Sequence, residues 1–271
     1  MTISVVNNYK ELSLAAADSI ARIIATRERP VLGFATGSTP LGMYQDLVAR
    51  YRAGKLDFSH VITFNLDEYL GLKPTDPRSY HRFMWENLFG RVNVRKENVF
   101  IPRGDAEDAE AECRGYEELI RLKGPIDVQI LGLGVNGHIG FNEPGTPFTS
   151  RTRVVDLTDE TVKANARFFG DEREVPRKAI TMGIGTILEA RQIVLVASGR
   201  NKAHAVAGMI AGPVTEEAPA SALRQHPDVT AILDREAASA ALSGLVSSRV
   251  PSGLEGNFLS WLQRRGRESV S

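Results

Sequence analysis

Cysteine is almost absent from this chain: Cys113 is the single one in 271 residues. One thiol can neither close an intramolecular disulfide nor build a Cys-based zinc site, so the composition fits a reduced compartment. Nor is there an excess of either charge, because 33 Lys and Arg offset 33 Asp and Glu at a formal net charge of zero. That balance removes the electrostatic footprint of a protein built to bind nucleic acid or an anionic membrane. Long apolar runs are missing too. The longest, such as Ile193 to Ala197, fall far short of the ~20 residues that cross a bilayer. Met1 to Leu12 lacks the basic flank and apolar stretch of a signal peptide. The expectation is a cytoplasmic chain with neither nucleic acid nor membrane as partner.

What is present is globular: 42% hydrophobic and 24% charged residues. Short β-branched runs bounded by turns predict strands at Val31–Ala35, Val61–Asn65, Val99–Ile101, Val128–Leu133, Ala179–Met182, Ile193–Ala197 and Val229–Leu233. Apolar residues at three- and four-residue spacing predict helices at Leu12–Thr26, Leu41–Tyr51, Ser79–Phe89, Ala106–Leu122, Glu160–Phe169 and Lys202–Ile210. The alternation predicts an α/β fold: one doubly wound, mostly parallel sheet with helices on both faces. A closed eight-stranded barrel is the alternative at this length, but only about seven strands are convincing. No repeat or linker divides the chain, so residues 1–241 are expected to form one domain, with 242–271 as a tail of undecided structure.

Ligands of such sheets bind outside the carboxyl ends of the strands, and four loops there carry chemistry. Ala35-Thr36-Gly37-Ser38-Thr39-Pro40 offers a helix start, a close-approach glycine and the hydroxyls of Ser38 and Thr39, a plausible phosphate cradle. It lacks the lysine and spacing of a Walker A loop, and taken alone it reads equally as a tight turn before a capped helix. Asn65-Leu66-Asp67-Glu68-Tyr69 places two carboxylates after a strand, where desolvation can raise one into the range of a general base. A solvated or capping pair is the plainer alternative at that spot.

Gly132, Gly134 and Gly137 spell G-x-G-x-x-G, yet Gly140, Pro144, Gly145 and Pro147 forbid the helix that a dinucleotide fingerprint requires. A rigid loop presenting His138 and Glu143 is the better reading, suited to proton transfer or to a hydrogen-bonded turn. Neither H-E-x-x-H nor paired histidines suggests a metal. Ser198-Gly199-Arg200-Asn201-Lys202 repeats the plan of the first loop with cations added, and Arg167, four residues from Lys163, can supply another. Any one of these cations alone reads as a solvated face. His60, His81, His204 and His226 are read as structural or surface residues, and of these only His81, beside Arg82, keeps a claim to a functional role.

The ordered set TGSTP, NLDEYLGL, SYHRFM, GLGVNGHIGFNEPGTPF, SRTRVV, ANARFF and SGRNKA, from about Val31 to Asp234, resembles the glucosamine-6-phosphate deaminase (isomerase) family. Singly weak, the motifs are specific in combination. The resemblance implies conversion of glucosamine 6-phosphate and water to fructose 6-phosphate and ammonia, without an organic cofactor or catalytic metal. It implies Asp67 as the base moving a proton between C2 and C1, His138 as the ring-opening acid/base, and Glu143 as its supporting carboxylate. It implies a phosphate site of Gly37, Ser38, Thr39, Lys202 and Arg167, with Arg167 on a lid.

One departure stands in the third motif, where the best-known members carry aspartate and this chain has Asn136. Its oxygen can still orient His138, without the charge. The allosteric, hexameric branch uses an arginine and, two residues on, a lysine where this chain has Arg153-Val154-Val155. That loss implies hyperbolic kinetics and an assembly smaller than a hexamer, a monomer or small homo-oligomer. The rivals are a 6-phosphogluconolactonase-type hydrolase, disfavoured by Phe141-Asn142-Glu143-Pro144 and Asp67-Glu68-Tyr69, and a sugar-phosphate-sensing domain, disfavoured because both candidate acid/base groups are present.

Overall fold

The structure is a computed structural model describing residues 1–247; 248–271, most of the expected tail, lie outside the described residues. Among the described residues ten strands form: β1 (Thr2–Val6), β2 (Val31–Phe34), β3 (Ile62–Asn65), β4 (Asp67–Tyr69), β5 (Val99–Phe100), β6 (Val128–Gly132), β7 (Arg153–Asp156), β8 (Lys178–Thr181), β9 (Ile193–Ala197) and β10 (Val229–Asp234). Eight α-helices accompany them in the same residues: α1 (Tyr9–Thr26), α2 (Leu41–Arg52), α3 (Tyr80–Asn87), α4 (Ala109–Lys123), α5 (Asp159–Asn165), α6 (Ile184–Leu188), α7 (Ala203–Ala211) and α8 (Ser239–Ser247). The boundary expected after residue 241 falls within α8.

Seven strands make one parallel sheet in the order β1-β10-β9-β6-β2-β3-β5. The central strands β2, β6 and β9 are apolar and almost wholly buried on both sides, the pattern of a sheet covered by helices on both faces. From β2 the chain winds outward through β3 and β5, returns to β6 on the other side of β2, and winds the opposite way. The crevice at that reversal, above β2 and β6, is where such sheets bind ligands.

About seven strands are expected and ten are found among the described residues; the main sheet has seven, but not the seven expected. The Ala179–Met182 run is not in the main sheet; as β8 it pairs antiparallel with β4 and β7 in a separate three-stranded sheet. Its place is taken by β1, whose Thr2-Ile3-Ser4-Val5-Val6 pairs with β10 at the sheet edge. The small sheet has its own core of Tyr69, Leu72, Phe141, Leu157, Val162, Phe169, Val175 and Ala179. It stands over the crevice and carries the connection from β7 to β8, which includes α5 and Arg167.

Candidate active site

The four loops singled out above converge on one cavity of about 340 Å³, at the low end for a small-molecule site. Gly37, Ser38, Thr39, Asp67, His138, Arg167 and Lys202 all line it. Asn136 and Glu143 do not line it but contact His138, and Glu143 also contacts Thr161, both of which do. All nine expected site residues are therefore in one place.

After β2, Gly37 takes φ +100, a left-handed conformation open to glycine, which curls Thr36–Thr39 toward the start of α2. Tyr9 of α1 pins the loop from below: its hydroxyl donates to the Ser38 carbonyl (3.0 Å) and accepts from the Gly42 N–H (2.9 Å). Pro40 at the N-cap of α2 offers no side-chain cap and Tyr9 takes only the Gly42 N–H, so the Leu41 and Met43 N–H groups are left for an anion.

Asp67 is 6% exposed, on the first residue of β4, and no group among the described residues donates a hydrogen bond to its carboxylate. Burial, and then the neighbouring Glu68 carboxylate, push it up to about 8. Glu68 points the other way and caps α3, accepting from the N–H groups of Tyr69 (2.9 Å), Tyr80 (2.9 Å) and His81 (2.8 Å). Burial raises Glu68 too, against those three donors. Two adjacent carboxylates thus have different surroundings, one lining the cavity and one fastening a helix.

The glycines of the third loop bring His138 close. A Cβ on Gly134 would lie 2.3 Å from the imidazole Nδ1, so only glycine permits this packing. Nδ1 lies 2.8 Å from Asn136 Oδ1 and 3.5 Å from Glu143 Oε2, while Asn136 Nδ2 donates to the same Glu143 oxygen at 2.8 Å. Because the amide's N–H is committed to the carboxylate, its oxygen faces the ring, and Nδ1 carries the proton. Nε2 is then the nitrogen that can exchange a proton with a ligand. Burial would raise Glu143, but its bonds to His138, Thr161 and Asn136 together hold it down at about 2.

On the far side, Lys202 ends a 3-10 turn, Arg200–Lys202, that leads into α7. Asp234 at the end of β10 fastens that turn by accepting from Ser198 Oγ and the Gly199 N–H. Burial, and then the charge of Arg167, lower the Lys202 ammonium. Two cations that repel each other across a cavity are a site for an anion. Arg167 itself sits in the 3-10 turn after α5.

Sequence reasoning missed the wall that closes this side. Tyr69, Tyr80, Phe141 and Phe169 form a ring cluster with centroids 4.7 to 6.1 Å apart, and Arg78 places its guanidinium 5.5 Å from the Phe169 centroid while bonding Glu174. It missed Thr158 and Thr161, which bond Glu143 from α5. A threonine three residues after an N-cap threonine carries no signal of its own. His81 is structural: Nδ1 meets the Pro74 carbonyl (3.1 Å) and Nε2 accepts from Trp85 (3.1 Å). Arg153 donates to Asn142 Oδ1 (2.9 Å), so it braces the loop that carries Glu143.

The site's class is that of a proton-transferring enzyme acting on an anionic small molecule. A family model described as glucosamine-6-phosphate isomerases/6-phosphogluconolactonase matches residues 7–232, and the chain belongs to this family. A glucosamine-6-phosphate deaminase of Thermoanaerobacter pseudethanolicus is 56% identical over 239 residues, covering 88% of this chain and 94% of that one. The solved structure of a monomeric glucosamine-6-phosphate deaminase superposes with a TM-score of 0.87 at 49% identity, covering 89% of this chain and all of the other. The 6-phosphogluconolactonase of Trypanosoma brucei, with a TM-score of 0.70 at 22% identity over 88% of this chain and 97% of its own, shares the fold alone.

Proposed function

We propose that this chain converts glucosamine 6-phosphate and water to fructose 6-phosphate and ammonia, as a monomer working in the cytoplasm. The observation that carries the reading is one cavity shared by a buried, unbonded carboxylate, a histidine of set tautomer and a pair of cations. An aldose-to-ketose conversion of an amino sugar needs a proton acceptor at carbon, another proton handler at the ring oxygen and a grip on the phosphate.

His138 Nε2 takes the proton of the C1 hydroxyl and returns one to the ring oxygen, opening the sugar. Its Nδ1–H stays on Asn136 Oδ1 while the Glu143 carboxylate supports the imidazolium. Asp67, ionised, removes the C2 proton and delivers it to C1, while the proton that nitrogen gives up goes to O1, leaving a C1 hydroxymethyl group and an imine at C2. Water adds there and ammonia leaves. Gly37, Ser38, Thr39, Lys202 and Arg167 hold the phosphate, and that remote binding energy keeps C1 and C2 against Asp67. Phe141-Asn142-Glu143 favours this over lactone hydrolysis, which needs no base at carbon. Ammonia release from glucosamine 6-phosphate and its 4-epimer, measured beside hydrolysis of 6-phosphogluconolactone, tests it. Ammonia from an amino sugar phosphate is expected, and lactone hydrolysis without ammonia would overturn it.

A further inference from the structure

The Glu143 carboxylate is shared between two parts of the molecule. Oε2 belongs to the glycine-rich loop, accepting from Asn136 Nδ2 (2.8 Å) and facing His138 Nδ1 (3.5 Å). Oε1 belongs to the connection from β7 to β8, the segment that the resemblance makes a lid: it accepts from the Thr161 hydroxyl, with Thr158 Oγ1 at 3.3 Å. Thr161 is 5% exposed and buried beside Val162, which packs in the core of the small sheet. Its backbone N–H is already satisfied by Thr158 Oγ1 (3.2 Å), so the hydroxyl is not needed to form the helix. The same short connection carries Arg167, six residues later, into the cavity.

We infer that Thr161 is a positioning residue: through its hydroxyl, α5 holds Glu143 in register with His138, so the ring-opening relay is assembled only when the lid that brings Arg167 to the phosphate is in place. The inference rests on the deaminase reading above. A carboxylate with one oxygen tethered to the lid and the other to the relay cannot keep both bonds if α5 moves away. Arg167 and the relay are then linked through the Thr161–Glu143 bond, with Thr158 as a longer second contact, and displacing α5 would leave the histidine slack. A misplacement of about 1 Å in such a relay can cost about 10²-fold.

The test compares Thr161→Val, which keeps the shape and the backbone bond but removes the hydroxyl, with Thr161→Ser, which restores it. For ammonia release from glucosamine 6-phosphate, Thr161→Val is expected to lower kcat about 10- to 100-fold with KM within about twofold, and Thr161→Ser to recover most of the loss. Nitrogen-15 NMR of the His138 ring, assigned with His138→Gln, reads the tautomer independently of turnover. Wild type is expected to be protonated at Nδ1, and Thr161→Val to show both tautomers. A Thr161→Val enzyme with native kcat and the native His138 spectrum would overturn the inference, as would a loss that serine fails to repair. A wild type that releases no ammonia would instead refute the deaminase reading, and the NMR comparison would still decide the role of Thr161.

Discussion

Replacing Asp67 with asparagine should inactivate the enzyme and stabilise the fold at the same time. The unfolded carboxyl has a pKa near 3.8 and the buried one is pushed up to about 8. Between those values the folded protein holds one proton more than the unfolded chain, so stability falls as pH rises, by about 1.4 kcal/mol per pH unit. The loss begins above 3.8 and is complete near 8, an upper figure of about 6 kcal/mol across that window. Relaxation and water at the cavity wall return part of it, leaving at least ~2 kcal/mol at pH 8, or about 5 °C in Tm for a chain of this size. Asparagine has the same shape and no charge, so the two proteins should melt together near pH 4 and separate progressively to a plateau above pH 8. Ammonia release should fall about 10²- to 10⁴-fold, the usual value of a general base, and wild-type kcat/KM should rise with pH through about 8. Calorimetry from pH 4 to 9 with parallel rates checks this. A stability gap that does not grow with pH would mean that the carboxyl is not held protonated, and near-native turnover would remove Asp67 from the chemistry.

Lys202→Ala and Arg167→Ala each remove a charge-assisted phosphate contact of about 1.5–3 kcal/mol, which should raise KM about 10- to 100-fold; Arg167→Ala should also lower kcat, and unchanged kinetics would exclude either residue. In Asn136→Asp a second carboxylate would face Glu143 Oε2 at the 2.8 Å now spanned by the amide, a repulsion of roughly 6 kcal/mol at an effective dielectric constant near 20. The added negative charge stabilises the His138 imidazolium, so the kcat profile should shift to higher pH, and a superimposable profile would refute the relay geometry. Because Arg153 is drawn onto Asn142 and Val155 supplies no second cation, substrate dependence should be hyperbolic and indifferent to N-acetylglucosamine 6-phosphate. Sigmoidal kinetics relieved by that sugar would count against it, and sedimentation as anything but a monomer would count against the assembly.

The alternation of β-branched runs and amphipathic segments was enough to read a parallel, doubly wound sheet, because burial on both faces leaves an unbroken apolar signature at β2, β6 and β9. The same rule misleads where strands are short and half-covered. Thr2–Val6 carries a strand signal in Ile3, Val5 and Val6 that sequence reasoning passed over, Arg153–Asp156 has only two apolar residues between charges, and Ala179–Met182 looks like a central strand while belonging to the small antiparallel sheet. Each loop motif was legible as a possible turn or site because glycine, hydroxyl and carboxylate chemistry is local. What remained for the tertiary structure was everything set by residues far apart in the chain. The burial that raises Asp67, the repulsion of Lys202 by Arg167, the shared carboxylate of Glu143 and the bond from Thr161, 18 positions away, come from packing loops against one another. Desolvation and hydrogen-bond geometry depend on distance in space, which spacing along the chain does not encode.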